Sequence, residues 1–65
     1  MQPFQERVVA ELKDLDDKIS KLQVFIHGGM FNALPSQEQE RMTQQLSYMQ
    51  GYSSVLKQRI EAFTP

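Results

Sequence analysis

The sequence predicts an all-α protein: an antiparallel two-helix hairpin that assembles with copies of itself into a helical oligomer. Three observations carry this expectation. Apolar residues recur every three or four positions in two long stretches, about 4–27 and about 37–63, which is the period of one helix face. Only residues 28–36 connect the stretches, and so short a connection folds two helices back on each other. Finally, 65 residues without a cysteine make a marginal core, which small domains support with disulfides, metals or self-association. The first is absent, the second has no obvious ligand set, and self-association remains.

Residues 1–3 read as a short entry to the first helix, with Pro3, whose missing N–H suits a first turn, just before its start at about Phe4. Val8, Leu12, Leu15, Ile19, Leu22 and Ile26 follow at spacings of 4, 3, 4, 3, 4. That is a heptad seam with Leu12, Ile19 and Ile26 at a and Val8, Leu15 and Leu22 at d. Val9 and Phe25 widen the stripe to its flanks. His27 stands at the C-terminal end, where it is expected to meet the last carbonyls. The pair Gly28–Gly29 is expected to stop the helix by taking a left-handed conformation. Met30, Phe31 and Leu34 then read as an apolar plug over one end of the hairpin.

Ser36 with Gln39 three residues on reads as a capping box. Glu38 and Glu40 favour the positive end of the second helix. Met42, Leu46, Met49, Leu56, Ile60 and Phe63 continue a heptad seam, but Ser53 stands where an apolar residue is expected. Gly51 sits beside it, and a mid-helix glycine costs about 1 kcal/mol against alanine. The middle of this helix is therefore thin and polar. Tyr48, Tyr52 and Val55 form a second stripe next to the seam. Pairing the seams around the turn puts Phe25 and Ile26 near Met42 and Leu46. Lys18 and Ile19 then lie near Met49 to Ser53, and Arg7, Val8 and Glu11 near Leu56 to Ile60. All of this makes one domain, residues 1–65.

Composition narrows the function. Apolar residues are 40%, charged residues 23% and the net charge −1, too apolar for a disordered chain and too balanced for a nucleic-acid tail. One histidine and no cysteine leave no histidine- or thiolate-based metal site and no triad within a chain, and no cofactor is implied. Asp14, Asp16 and Asp17 read as a solvated face, with Asp14–Lys18 and Asp17–Lys21 in the stabilising i,i+4 order; a Mg²⁺ site is the lesser alternative for the three carboxylates. The glycine pair has neither the strand before it nor the G-K-[ST] after it that a phosphate loop needs. The chain is expected not to be an enzyme. Lys13, Lys18 and Lys21 share their helix with more acids than bases, so duplex nucleic acid is not an expected partner. No apolar run reaches the ~20 residues of a membrane span and no signal peptide is visible. A soluble cytoplasmic protein without a membrane partner is expected.

One constellation stands out. Arg7, Glu11 and Lys18 on the first helix and Tyr52 and Arg59 on the second come to one region when the hairpin closes. An aromatic face and a planar guanidinium can stack a base and hold a phosphate. An inter-helix Glu11–Arg59 ion pair with Tyr52 as an interface aromatic accounts for the same residues.

Arg7-Val8-Val9, Glu11-Leu12, Leu15, Lys18, Leu22 and Phe25, then Phe31 and Leu34, then Gln45-Leu46, Met49, Tyr52, Leu56 and Arg59-Ile60 resemble a family of very short helical-hairpin proteins of tailed phages. Some of its members are described as relatives of a crAss-like phage protein. The likeness spans residues 7–60, and Arg7, Tyr52 and Arg59 are its least generic members. Lys13 and Asp14 depart from the more acidic, leucine-rich text of that helix. The resemblance implies a phage protein at work in the bacterial host cytoplasm. Similar hairpin domains occur in oligomeric sponges that sequester cyclic nucleotide signals of CBASS and Thoeris immunity. By that likeness the partners are copies of the chain itself, as a dimer or higher, and a cyclic di- or trinucleotide. Arg7, Glu11, Lys18, Tyr52 and Arg59 would bind it. The alternative is a protein–protein interaction module that docks a host or phage protein through Val9, Val24, Phe25, Tyr48 and Val55.

Overall fold

The computed structural model describes residues 1–63, and Thr64 and Pro65 at the end of the expected domain lie outside the described residues. Two helices, α1 (Pro3–Ile26) and α2 (Ser36–Glu61), pack against each other as a hairpin. A single 3₁₀ turn, Phe31–Ala33, lies in the connection. The result is a rod of 48 × 14 × 14 Å.

α1 starts one residue earlier than the periodicity suggests, because its cap is built from glutamines. The Gln2 backbone N–H donates to Gln5 Oε1 at 2.8 Å, with Pro3 in the first turn behind it. At the other end the expected left-handed glycine is absent: no described glycine has a positive φ. His27 remains right-handed at φ −84°, ψ −1°. Its backbone N–H, rather than its imidazole, donates to Gln23 O at 3.0 Å, and Gly28 N–H donates to Phe25 O at 3.1 Å. Tightening the last turn satisfies these carbonyls without a change of handedness. The glycines end the helix through poor helix propensity, about 1 kcal/mol each.

The capping box expected at Ser36 does not form either. α2 begins at Ser36 itself, with Pro35 in the cap position at φ −55°, ψ 146°. Pro35 O accepts from Glu38 N–H and Gln39 N–H at 3.0 and 3.1 Å. With Pro35 in the cap position, Ser36 is the first residue of the helix and Gln39 the fourth, so Gln39 is not at the third position that a box uses. Gln39 Nε2 turns back instead and donates to Leu34 O at 2.9 Å and Asn32 O at 3.4 Å. This staples the connection to the helix that follows it. Phe31 and Leu34 are half-buried as a plug requires, but Met30 is 74% exposed and takes no part.

The core is the meeting of the two seams. Val8, Leu15 and Ile19 of α1 and Leu56 of α2 are buried, with Leu12, Leu46, Met49, Ile60 and Phe63 packed around them. The apparent gap in the α2 seam is closed by a hydrogen bond. Buried Ser53 donates from Oγ to Asp16 Oδ1 at 2.7 Å. Asp16 thus departs from the solvated face assigned to it: it lies half-buried on the edge of the seam, within reach across the helix pair. A hydrogen bond to a charged group contributes about 1.5–3 kcal/mol, so serine is an adequate seam residue here. Among the other acids, Asp17 pairs with Lys21 at 3.0 Å, while the expected Asp14–Lys18 pair does not form among the described residues. At the open end, the Phe4 and Phe63 rings meet edge to face with centroids 5.9 Å apart. Together with Asp16–Ser53, this contact sets the register that pairing the seams predicts.

Such a rod leaves much surface in water. Its accessible area is 5032 Å², against about 4,300 Å² for a typical monomer of its mass. Among the described residues, no helix is long and apolar enough to cross a membrane.

Candidate functional site

Arg7, Glu11, Asp14 and Lys18 follow one another at spacings of 4, 3 and 4 along α1. Residues so spaced stack on successive turns of one helix flank. Here that flank borders the buried seam of Val8 and Leu15. On α2, Tyr52 immediately precedes Ser53. Burying Ser53 turns Tyr52 to the edge of the helix pair, where its ring stands half-exposed beside the same flank. The outcome is an open groove of about 420 Å³ lined by Arg7, Ala10, Glu11, Asp14, Leu15, Lys18 and Tyr52.

Four of the five residues singled out from the sequence therefore come together: Arg7, Glu11, Lys18 and Tyr52. Arg59 does not. It lies exposed in the last turn of α2, outside the groove lining. The Glu11–Arg59 ion pair that offered the structural explanation is not formed among the described residues. Asp14 joins the groove, although sequence reasoning left it on a solvated face. Its helical spacing from Glu11 and Lys18 was the available signal.

The groove balances two cations against two carboxylates over a small apolar floor of Ala10 and Leu15. Among the described residues, none of the four charged side chains is spent in an ion pair, since the pairs formed are Asp17–Lys21 and Glu38–Arg41. Their hydrogen-bonding capacity faces solvent and is open to a ligand. Another groove of about 470 Å³ also has Tyr52 in its lining, with Arg41, Gln44, Gln45, Tyr48 and Met49. Tyr52 is thus a wall common to two grooves.

A family model described as Sequestin matches residues 2–62. The chain belongs to the Sequestin family. No curated protein and no solved structure matches it. The Sequestin match takes in both helices and every residue of the Tyr52 groove. The family name points to sequestration of small-molecule signals, which fits the likeness to sponge-like phage proteins.

Proposed function

We propose that this Sequestin-family chain is a non-enzymatic, homo-oligomeric phage sponge that holds cyclic nucleotide immune signals out of circulation in the host cytoplasm. The convergence of Arg7, Lys18, Glu11 and Tyr52 on one groove carries the reading. Each has a chemical part. The Tyr52 ring offers a base a stacking face, worth ~1–3 kcal/mol per base. Arg7 presents a planar fork to a phosphate, and Lys18 adds a mobile point charge. Glu11 and Asp14 accept hydrogen bonds from ribose hydroxyls or base amines and repel ligands that are only polyanions. A sponge needs no bond-breaking step: it lowers free signal by mass action, so affinity and copy number are its whole mechanism. The groove is shallow for a cyclic di- or trinucleotide, and a neighbouring copy would supply the missing wall.

The interaction-module reading is less well supported. Val9 and Phe25 lie 16 positions apart on α1, about 160° around the helix. One flat partner cannot cover both.

Thermal melting against a panel of cyclic di- and trinucleotides, with linear nucleotides as controls, tests the proposal. A ligand that binds only the folded state raises the midpoint, by RT ln(1 + [L]/Kd) in free energy. Calorimetry on Arg7→Ala and Tyr52→Ala should then show affinity reduced more than tenfold, about 1.4 kcal/mol. Lys57→Ala, away from the groove, should leave it unchanged. A panel that shifts nothing would remove the sponge reading and bring the interaction module forward.

A further inference from the structure

Beside its buried seam, α2 carries a second one. Arg41, Gln45, Tyr48, Tyr52, Val55 and Arg59 follow at spacings of 4, 3, 4, 3, 4, the period of a helix–helix seam. All six are exposed, Tyr48 to 70%. We propose that a second copy of this chain covers this seam, with the two α2 helices running antiparallel.

Charge selects the occupant and its direction. Antiparallel pairing centred between Tyr48 and Tyr52 brings each Tyr48 against Tyr52 of the other copy. It also brings Arg59 of one copy to the end where Glu38 and Arg41 of the other lie. Glu38 Oε1 already accepts from Arg41 Nε at 2.8 Å, with the Glu38 side chain 44% exposed. One carboxylate can bridge two guanidinium groups through its two oxygens. Arg59 has no ion-pair partner among the described residues, and this arrangement provides one. Antiparallel pairing sets Arg59 opposite Arg41 with Glu38 beside them to neutralise the pair, whereas parallel pairing would set Arg59 against Arg59 with no carboxylate of the seam at that end.

Two further observations agree. The chain exposes roughly 700 Å² more than a typical monomer of its mass, and two such excesses, about 1,400 Å², fall within the ~1,200–2,000 Å² of a specific interface. On the flank of the seam, one turn from Tyr48 and Val55, a side chain built on Gly51 would meet nothing within 4 Å. The fold of one chain therefore gives no reason for a residue that costs its helix about 1 kcal/mol, whereas a helix approaching from outside does. The proposal deepens the sponge reading and rests on it for one consequence: Tyr48 of the second copy would wall the groove that Tyr52 borders.

Sedimentation equilibrium up to hundreds of micromolar tests it, with circular dichroism to show that each variant is helical. The unaltered chain should be a dimer or higher. Arg59→Glu and Glu38→Arg should each weaken association at least tenfold, and the double variant should recover it to within about threefold, the signature of a direct pair. Tyr48→Ala, at a side chain that accepts one long hydrogen bond from Gln44 Nε2 (3.4 Å), should also dissociate the copies without unfolding them. A helical monomer at every concentration, or a double variant as weak as the single ones, overturns the interface. Nucleotide melts on the same samples separate the two ideas. A monomer that binds nucleotide leaves the sponge reading standing without this interface. A dimer that binds none supports the interface and removes the sponge.

Discussion

α2 presents two seams with the same heptad spacing and opposite fates. The inner seam of Met42, Leu46, Met49, Ser53, Leu56 and Ile60 faces α1 and supplies both buried residues of the helix, Ser53 and Leu56. The outer seam of Arg41, Gln45, Tyr48, Tyr52, Val55 and Arg59 stands in solvent. Their chemistry differs as their surroundings do. The inner seam is aliphatic, with one serine made acceptable by Asp16. The outer seam is aromatic and arginine-rich, the composition enriched where protein surfaces bind. Periodicity alone therefore marks a face that packs against something. Side-chain chemistry separates packing within the chain from packing against a ligand or a second copy.

The comparison is broken most severely at Leu56. This side chain is 1% exposed at the centre of the core, and Leu56→Ala should cost about 2–5 kcal/mol. In so small a domain that is enough to lose the cooperative thermal transition. A variant that melts near the parent would mean that the inner seam is not what holds the hairpin.

A smaller effect sharpens it at Ser53. Ser53→Ala removes the donor to Asp16 and should destabilise by about 1.5 kcal/mol, because a half-buried carboxylate loses its partner. Asp16→Asn keeps an acceptor and should cost less. A denaturant series on both variants and their combination gives the coupling, and a coupling of zero would make the 2.7 Å contact energetically idle.

The smallest effect lies on the flank of the outer seam, away from the inner one. With open space around Gly51, Gly51→Ala should raise the stability of the separated chain by up to about 1 kcal/mol. The same methyl group should weaken self-association if the second copy approaches there. Melting at low and high protein concentration reads the two signs separately. A gain at both would mean that the glycine is only a tolerated defect of the helix.

Much of this molecule was legible as text. Both helices, their lengths to within two residues, the hairpin and the seam register follow from apolar spacing and a short connection. Arg7, Glu11, Lys18 and Tyr52 were placed together by that register alone. The misreadings are local and share a cause. Gly28, Ser36 and Met30 were assigned by what such residues commonly do at helix ends. Their roles depend on which neighbouring groups compete for the same hydrogen bonds: Pro35 displaced the Ser36 cap, and right-handed His27 made a left-handed glycine unnecessary.

The sequence by itself determined the repeat, and therefore the helices, because a helix face is set by spacing along one strand of text. Only the tertiary structure decided that Asp16 fills the place left by Ser53, that Asp14 belongs to the groove and that Arg59 does not. Those outcomes turn on distances between side chains of two helices, and a rotation of a few tens of degrees about either axis changes them while leaving every spacing in the sequence unaltered.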